Sequence, residues 1–286
     1  MMEVDKKKTR TDEAWVRLYA RFETDCLLPA DAEHASATHR RLYLKWGSVA
    51  AAVIAGIVCF AAWWAVPEQG GDSRSLLTEE NREKPILVKT LEDGSVVYLA
   101  QESTLKYPEH FAEDKREVNL QGEAFFDVAK KPEQAFTIET ARVRVEVLGT
   151  AFNVRSNEGV PFSLSVKRGK VKVLLKQEEQ TVFVEAGETV ILQGGSLLVS
   201  ETENPELFDR YTSNIRFKDE CLEDVLRAIN KESAGWQIEA ASPTLGKRRL
   251  TVEFSNNSPE SVAELICWTF DLKCTRQGNR LILSEQ

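Results

Sequence analysis

The sequence predicts a single-pass membrane protein with a short helical cytoplasmic tail and an exported all-β domain followed by a small α+β domain. Three observations predict this fold class. They are an uncharged run at residues 46–66, an alternating apolar pattern that begins at position 85, and a return of helical periodicity near the C-terminus. These patterns divide the chain into a tail (1–45), a span (46–66), a linker (67–84), a β domain (85–200) and a C-terminal domain (214–286).

The membrane span is predicted by 21 consecutive residues, 46–66, that include no charged side chain. A helix of that length extends roughly 31 Å, which matches a hydrocarbon core about 30 Å thick. A core helix would show a polar stripe, and a signal peptide would follow a short basic leader instead of 45 residues. Because Arg40, Arg41 and Lys45 precede the span and few basic residues follow it, the N-terminus is expected in the cytoplasm.

The cytoplasmic tail contains one predicted amphipathic helix, which begins near Thr11 or Asp12 and ends before Pro29. Its apolar residues lie on a single stripe at helical spacing: Trp15, Leu18, Tyr19, Phe22 and Cys26. The polar face is not basic enough for a membrane-surface helix, so a protein partner is the favoured interpretation. The alternative is that the stripe packs on a short second helix within residues 31–41.

The β domain is predicted by short segments of period-two alternation separated by glycine-containing turns. Segments 88–91 and 95–99 flank an Asp-Gly turn, which is typical of a hairpin. No helical pattern intervenes up to about residue 200, and the further predicted strands are 118–120, 124–128, 136–139, 143–148, 164–166, 171–175, 182–184, 189–192 and 197–199. Such a series of strands is typical of a sandwich, a roll or a short solenoid.

The C-terminal domain is predicted to contain a duplicated β-α-β unit. Sliding the sequence by 37 residues aligns Phe217 with Phe254 and Val225 with Val262. Ser258 and Pro259 are a helix N-cap and first-turn pair.

A sheet in so small a unit leaves edge strands to which another chain can add a strand. The candidate edges are Ile215–Phe217 and Leu281–Leu283.

Composition argues against several kinds of site. Residues 67–286 hold 28 Lys and Arg against 37 Asp and Glu, so no nucleic acid partner is expected. The three histidines form no cluster, and no cysteine spacing is typical of a metal site, so neither a metal nor a cofactor is predicted. Cys221, Cys267 and Cys274 are interpreted as buried free thiols, with one disulfide as the alternative. No nucleophile and base arrangement indicates an enzyme.

Several motifs, in order behind the span, resemble the FecR family of membrane-bound anti-sigma factors in the form common in Bacteroidetes. They are DGSVVYLAQESTLKYP (93–108), REVNLQGEAFFDVAKKPEQAFTIET (116–140), VEVLGTAFNVR (145–155), KRGKVKV (167–173) and EAGETVIL (185–192). The last 70 residues resemble the domain that accompanies FecR in that phylum, which is similar to the short domain of secretins and TonB-dependent receptors.

The resemblance implies a relay across the bacterial inner membrane. The signalling domain of an outer-membrane TonB-dependent, SusC-like transducer would contact the periplasmic part, and an ECF-type sigma factor would bind the tail through Trp15, Leu18, Tyr19 and Phe22. The last 70 residues are the expected receiver; the alternative is that they only stabilise the β domain.

The resemblance also implies a candidate self-cleavage bond between Gly149 and Thr150, although a strand-ending glycine beside a β-favouring threonine explains the same pair. The alternative function is that of a membrane-anchored periplasmic protein that binds envelope components or glycans.

Overall fold

The computed structural model describes residues 76–286, apart from 234 and 256, and these residues belong to one compact unit. The predicted tail and span lie outside the described residues. Within 76–286, no helix combines the length and the apolar character needed to cross a bilayer.

The first thirteen strands of this unit form a β-sandwich. In chain order the strands are β1 (Leu76–Asn81), β2 (Ile86–Thr90), β3 (Val96–Leu99), β4 (Ser103–Pro108), β5 (Arg116–Asp127), β6 (Phe136–Glu139), β7 (Val143–Val147), β8 (Ala151–Ser156), β9 (Ser163–Arg168), β10 (Lys170–Leu175), β11 (Thr181–Glu185), β12 (Glu188–Gln193) and β13 (Ser196–Glu201). Sheet A has the order β1-β4-β5-β6-β7-β10-β11. Sheet B has the order β13-β12-β9-β8-β5-β3-β2.

Strand β5 belongs to both sheets and changes sheet at Gly122. Residues up to Gln121 pair with β4, whereas residues from Gly122 onward pair with β8. Gly122 has a φ of 99°, and a Cβ there would lie 2.4 Å from the Ser103 hydroxyl oxygen. Glycine is therefore required for the strand to bend at this position.

The remaining elements extend sheet B at one edge and cover its outer face, and together they are called the third layer. They are a 3₁₀ turn (Pro205–Phe208), α1 (Arg210–Ser213), β14 (Asn214–Cys221), α2 (Leu222–Glu232), β15 (Gln237–Ala240), α3 (Pro243–Gly246), β16 (Arg249–Ser255), α4 (Pro259–Phe270), β17 (Leu272–Gln277) and β18 (Arg280–Glu285). Strand β14 extends sheet B because it pairs in parallel with β2 and antiparallel with β16. A separate sheet has the order β15-β18-β17.

Two hydrophobic cores result, one on each face of sheet B. The first fills the sandwich and includes Val97, Phe126 and Val145. The second lies under α2 and α4 and includes Tyr98, Phe125 and Phe217. Burial of such side chains is worth about 1.5–3 kcal/mol each, so both cores contribute substantially to stability.

The predicted all-β character is confirmed, and its architecture is a sandwich. The duplicated β-α-β pattern is also observed as β14-α2-β15 and β16-α4-β17. Ser258 caps α4 by accepting a hydrogen bond from the Ser261 N–H, as predicted. One difference is that β1 lies inside the segment predicted as a linker. It is an edge strand whose first residues, Leu76 and Leu77, are exposed, and only Asn81 is fully buried.

The predicted edge strands are wrong. Ile215–Phe217 lies in β14, between β2 and β16, and Leu281–Leu283 lies in β18, between β15 and β17. Both segments are interior because β2 and β15, which are distant in sequence, occupy the edges assumed to be open. Alternation within a strand gives no information about such neighbours.

Candidate functional site

The four residues predicted to bind a sigma factor are Trp15, Leu18, Tyr19 and Phe22, and they lie outside the described residues. Their role stays a prediction. The sites that follow belong to the part of the chain that the structure describes.

The Gly149–Thr150 bond lies in the turn between β7 and β8 and is held on both sides. The Lys131 N–H donates to the Leu148 carbonyl at 2.8 Å, and the Val128 N–H donates to the Thr150 carbonyl at 2.9 Å. A Cβ on Gly149 would lie 2.5 Å from the Cα of Lys130. The close approach of the 128–131 backbone therefore requires glycine at this position.

The Thr150 side chain is buried and its hydroxyl group has no hydrogen-bond partner. The residue is 3% exposed, and Oγ1 contacts no donor or acceptor in the described structure. A Cβ on Gly169 would lie 2.6 Å from the Thr150 Cγ2, so the side chain is enclosed by neighbouring backbone. A buried hydroxyl without a partner costs about 1–3 kcal/mol, and most folded proteins avoid it.

The nearest acidic residue along the ladder, Asp127, is already neutralised by two cations. Its register partner is Ala151, and its carboxylate accepts a hydrogen bond from Arg168 at 2.9 Å. Lys231 from α2 lies 3.5 Å from the other carboxylate oxygen and donates to the Asp127 carbonyl at 3.2 Å. Asp127 is thus an ion-pair partner that ties α2 to the β7–β8 end of the sandwich, and it does not contact Oγ1 of Thr150.

A polar network joins the third layer to sheet B. The Tyr211 ring stacks on Phe125 with centroids 5.6 Å apart. Its hydroxyl donates to the Glu123 carboxylate and accepts hydrogen bonds from Asn153 and Arg210. Burial, together with the negative charge of Glu123, raises the pKa of Tyr211 above its ordinary value, so the phenol stays protonated.

A second polar contact between the third layer and the sandwich lies where β14 pairs with β2. The Lys89 ammonium is 2.6 Å from the carboxylate of Glu220, which is almost fully buried. Burial acts to lower the pKa of Lys89, but the hydrogen bond and charge of Glu220 outweigh it and raise that pKa. At Glu220 burial outweighs the hydrogen bond and the charge of Lys89, so the pKa of this carboxyl is raised. The contact joins β14 to β2 at a buried position.

The outer rim of the third layer has strands with one unpaired edge. Among the described residues, β15, β16 and β17 each pair on one side only. At β15 the Asn230 side-chain amide donates to the Ile238 carbonyl at 2.9 Å and accepts from the Ile238 N–H at 2.8 Å. The Asn230 side chain thus takes the place of a neighbouring strand at the edge of β15. At the edge of β17, no described residue forms a matching pair of hydrogen bonds with the backbone.

Trp268 on α4 is 80% exposed and was not singled out from the sequence. The helix buries Val262, Ala263 and Ile266 on its other side. The sequence contains one signal for this exposure: Trp268 lies outside the apolar stripe of α4, whereas a tryptophan that packs in the core would lie on that stripe. Large exposed aromatic residues are frequent at protein interfaces.

Trp236 carries an aromatic ring of the kind that can stack on a sugar, but this ring is covered by a cation. The Arg276 guanidinium lies over its ring, 4.6 Å from the centroid. Within the described residues, no three His, Cys, Asp or Glu side chains are grouped as metal ligands would be.

Comparison with known proteins gives a family match within the sandwich. Residues 80–172 match the model of a family described as "FecR protein". No curated protein matches the chain. Two crystal structures, at 1.65 and 2.50 Å, of a protein from Parabacteroides distasonis described as a "putative anti-sigma factor" are 24% identical to it with a TM-score of 0.45. They cover 73% and 74% of this chain and 99% of their own.

The matched residues run from the end of β1 into β10 and include the motif around Gly149 and Thr150. Residues 80–172 therefore form a FecR domain, and for this part of the chain the family resemblance inferred from the sequence is confirmed.

Proposed function

We propose that the protein is a transmembrane anti-sigma regulator, which relays a signal from an outer-membrane TonB-dependent transducer to a cytoplasmic ECF-type sigma factor. The observation that carries this proposal is the FecR domain at residues 80–172 behind an uncharged run of membrane-spanning length at residues 46–66. The tail ahead of that run carries an apolar stripe suited to a helical contact with another protein.

The proposal places the receiver of the external signal in the third layer. Strand β14 pairs with β2, and the chain between β2 and the predicted span contains β1 and the linker. A displacement of the third layer is therefore transmitted to the segment that leads into the membrane. Exposed Trp268 and the unpaired edge of β17 are adjacent in the chain, and they suit a strand of the transducer's signalling domain as the partner.

Membrane topology is the first test. A reporter enzyme that works only in the periplasm is expected to be active when fused after Lys84 and inactive when fused after Lys45. The opposite pattern would place the FecR domain in the cytoplasm and refute the relay.

Sigma-factor binding is the second test. Truncating Trp15 and Phe22 together to alanine is expected to abolish co-purification of the sigma factor, because buried aromatic anchors contribute about 2 kcal/mol or more each. Replacing Glu13 and Glu23, which are outside the stripe, provides the matched control. If the double truncation still binds, the stripe packs within the tail.

The receiver is tested by point substitution. Deleting residues 214–286 would expose the apolar outer face of sheet B, including Val88, Tyr98 and Phe125, so loss of binding would have no clear cause. Trp268→Ala is expected to weaken transducer binding about 30-fold, the effect of a hot spot worth about 2 kcal/mol. Leu198→Ala on β13, also an exposed apolar residue, is expected to leave binding unchanged.

Equal binding by wild type and Trp268→Ala would show that α4 is not the contact. The envelope- or glycan-binding alternative predicts instead that glycans bind to the protein and that no transducer does. The covered ring of Trp236 gives that alternative little support.

A second proposal, self-cleavage at Gly149–Thr150, is favoured by the unpartnered hydroxyl of Thr150. The hydroxyl oxygen would attack the Gly149 carbonyl carbon as the Thr150 amide nitrogen leaves and takes the proton. The resulting ester would be opened by water, which leaves a carboxyl group on Gly149 and restores the hydroxyl. The two fragments would together weigh one water more than the intact chain.

Intact mass spectrometry tests this reaction. Thr150→Ser keeps a hydroxyl and is expected to be cut, whereas Thr150→Val has nearly the same shape and is expected to stay whole. A single uncut species for the wild-type chain, with the same mass behaviour in Thr150→Val, rules out cleavage.

A further inference from the structure

Two thiols lie on the two elements that meet at one corner of the third layer, α4 and β17. Cys267 lies in the last turn of α4 and is buried, and Cys274 lies on β17 and is exposed. Asp271 ends the helix in a left-handed conformation with a φ of 55°, and its N–H donates to the Cys267 carbonyl. The chain therefore reverses, and Cys274 pairs in register with Leu283, whose side chain is buried in the same core as Cys267. Register partners point to the same face of a sheet, so the Cys274 thiol points to the face that α4 covers.

We propose that Cys267 and Cys274 form a disulfide bond that fixes this corner of the third layer. The inference rests on the proposed topology, because disulfides form and persist in the oxidising periplasm. It also accounts for the odd number of cysteines among the described residues. Cys221 is engaged separately, since its thiol donates to the Asp224 carboxylate at 2.7 Å, and it stays reduced.

The accessibility of the two thiols sets the order of the reaction. Exposed Cys274 would attack the oxidant, a low-molecular-weight or protein disulfide, and form a mixed disulfide while one thiol leaves. Cys267 would then attack the Cys274 sulfur, which forms the internal bond and releases the second thiol. Both protons pass to the released thiols, so two cysteine thiols are oxidised and one disulfide of the oxidant is reduced.

Burial, together with Cys274, raises the pKa of Cys267 to about 11, so this thiol is protonated at neutral pH. That agrees with its assignment as the second, internal reactant. The bond would hold the end of α4 to β17 next to Trp268, the exposed residue assigned to the transducer contact.

Formation of the disulfide is tested on the purified full-length chain in detergent, with a mixture of oxidised and reduced glutathione as the probe. Peptide mapping under non-reducing conditions is expected to find residues 267 and 274 joined, two hydrogens lighter than the dithiol. Cys274→Ser is expected to abolish the joined peptide and to lower the melting temperature by about 4–10 °C. Cys221→Ala is expected to leave the joined peptide unchanged.

Recovery of Cys274 only as a thiol or as a glutathione adduct would overturn the proposal, since it would mean that the two sulfurs cannot meet. This readout does not depend on membrane topology.

Acid-quenched alkylation of intact cells separates the two proposals. A joined peptide in cells supports the disulfide in the exported protein. Reduced thiols, in cells where the reporter after Lys84 is active, would overturn it. Reduced thiols with an inactive reporter would contradict the topology, while joining in glutathione would still support the pair.

Discussion

The two faces of sheet B are both buried, but they are buried by different means. On β3, Val97 points into the sandwich, where its neighbours are other strand residues, mostly valine, leucine and phenylalanine. Tyr98 points to the other side, where helices α2 and α4 cover it. The contact on the sandwich side is mainly apolar, with the buried pair Arg116–Asp93 as an exception. The contact with the third layer is bordered by three polar pairs, Tyr211–Glu123, Lys89–Glu220 and Lys231–Asp127.

This difference indicates what each face does. An apolar core accepts substitutions that keep its volume, whereas removing one partner of a buried, hydrogen-bonded charge pair leaves the other without compensation. The third layer is thus held in one defined position on the FecR domain. It forms a layer of the same unit, and strand pairing between β14 and β2 joins it to the sandwich.

The largest expected effect comes from breaking the buried ion pair between Arg116 on β5 and Asp93. Arg116 is fully buried; it donates to Asp93 at 2.7 Å and to the Gln134 and Ala129 carbonyls. Arg116→Ala leaves Asp93 buried and unpaired, so the free energy of unfolding should fall by about 4–5 kcal/mol. Chemical denaturation of residues 75–286 measures it.

Arg82→Ala is the matched control, because Arg82 pairs with Glu80 on the exposed surface and should have no measurable effect. Equal stability of Arg116→Ala and the wild type would contradict the role assigned to the buried pair.

The next effect tests whether the third layer unfolds with the sandwich. Phe217 is fully buried on β14 and packs against Phe254 with ring centroids 6.1 Å apart. Phe217→Ala should cost about 3–4 kcal/mol through lost burial and a cavity. If the two layers form one cooperative unit, far-UV circular dichroism and Trp236 and Trp268 fluorescence should report the same midpoint. Separate transitions would show that the layers unfold independently.

Sequence alternation was a reliable guide where a strand buries apolar side chains. Phe136–Glu139 was predicted with the observed bounds, and the Asp93-Gly94 hairpin between β2 and β3 is present, with Gly94 at a φ of 83°. Strands β4 and β8 were missed because their inward residues include Ser103 and Asn153, whose burial depends on partners distant in sequence.

The candidate sites were less accessible to sequence reasoning. The pair Gly149 and Thr150 was identified through family resemblance, but the missing partner of the Thr150 hydroxyl depends on the 128–131 segment and on Gly169. The proximity of Cys267 and Cys274 depends on the chain reversal at Asp271. Contacts of this kind require the tertiary arrangement, which alternation does not encode.

A smaller effect tests the polar border of the third layer. Tyr211→Phe removes the hydroxyl that contacts Glu123, Asn153 and Arg210 but keeps the ring on Phe125. The free energy of unfolding should fall by about 1–2 kcal/mol, because Asn153 loses an acceptor in a buried site. An unchanged stability for Tyr211→Phe would show that the border adds specificity without adding stability.

The smallest effect is a dependence on pH in sheet A, away from the third layer. Burial acts to raise the pKa of Glu139, but hydrogen bonds from Lys176 and Arg144 outweigh it and hold that pKa below its ordinary value. The unfolded chain therefore binds the proton more readily, so this carboxylate stabilises the fold above its unfolded pKa. That contribution is lost as the pH falls through the folded pKa. Glu139→Gln should lower the melting temperature near pH 7, and the difference from wild type should vanish by about pH 3. Glu203→Gln, an exposed position without an ion pair among the described residues, should show no such trend. A difference that stays constant across this range would mean that Glu139 acts through packing and not through its charge.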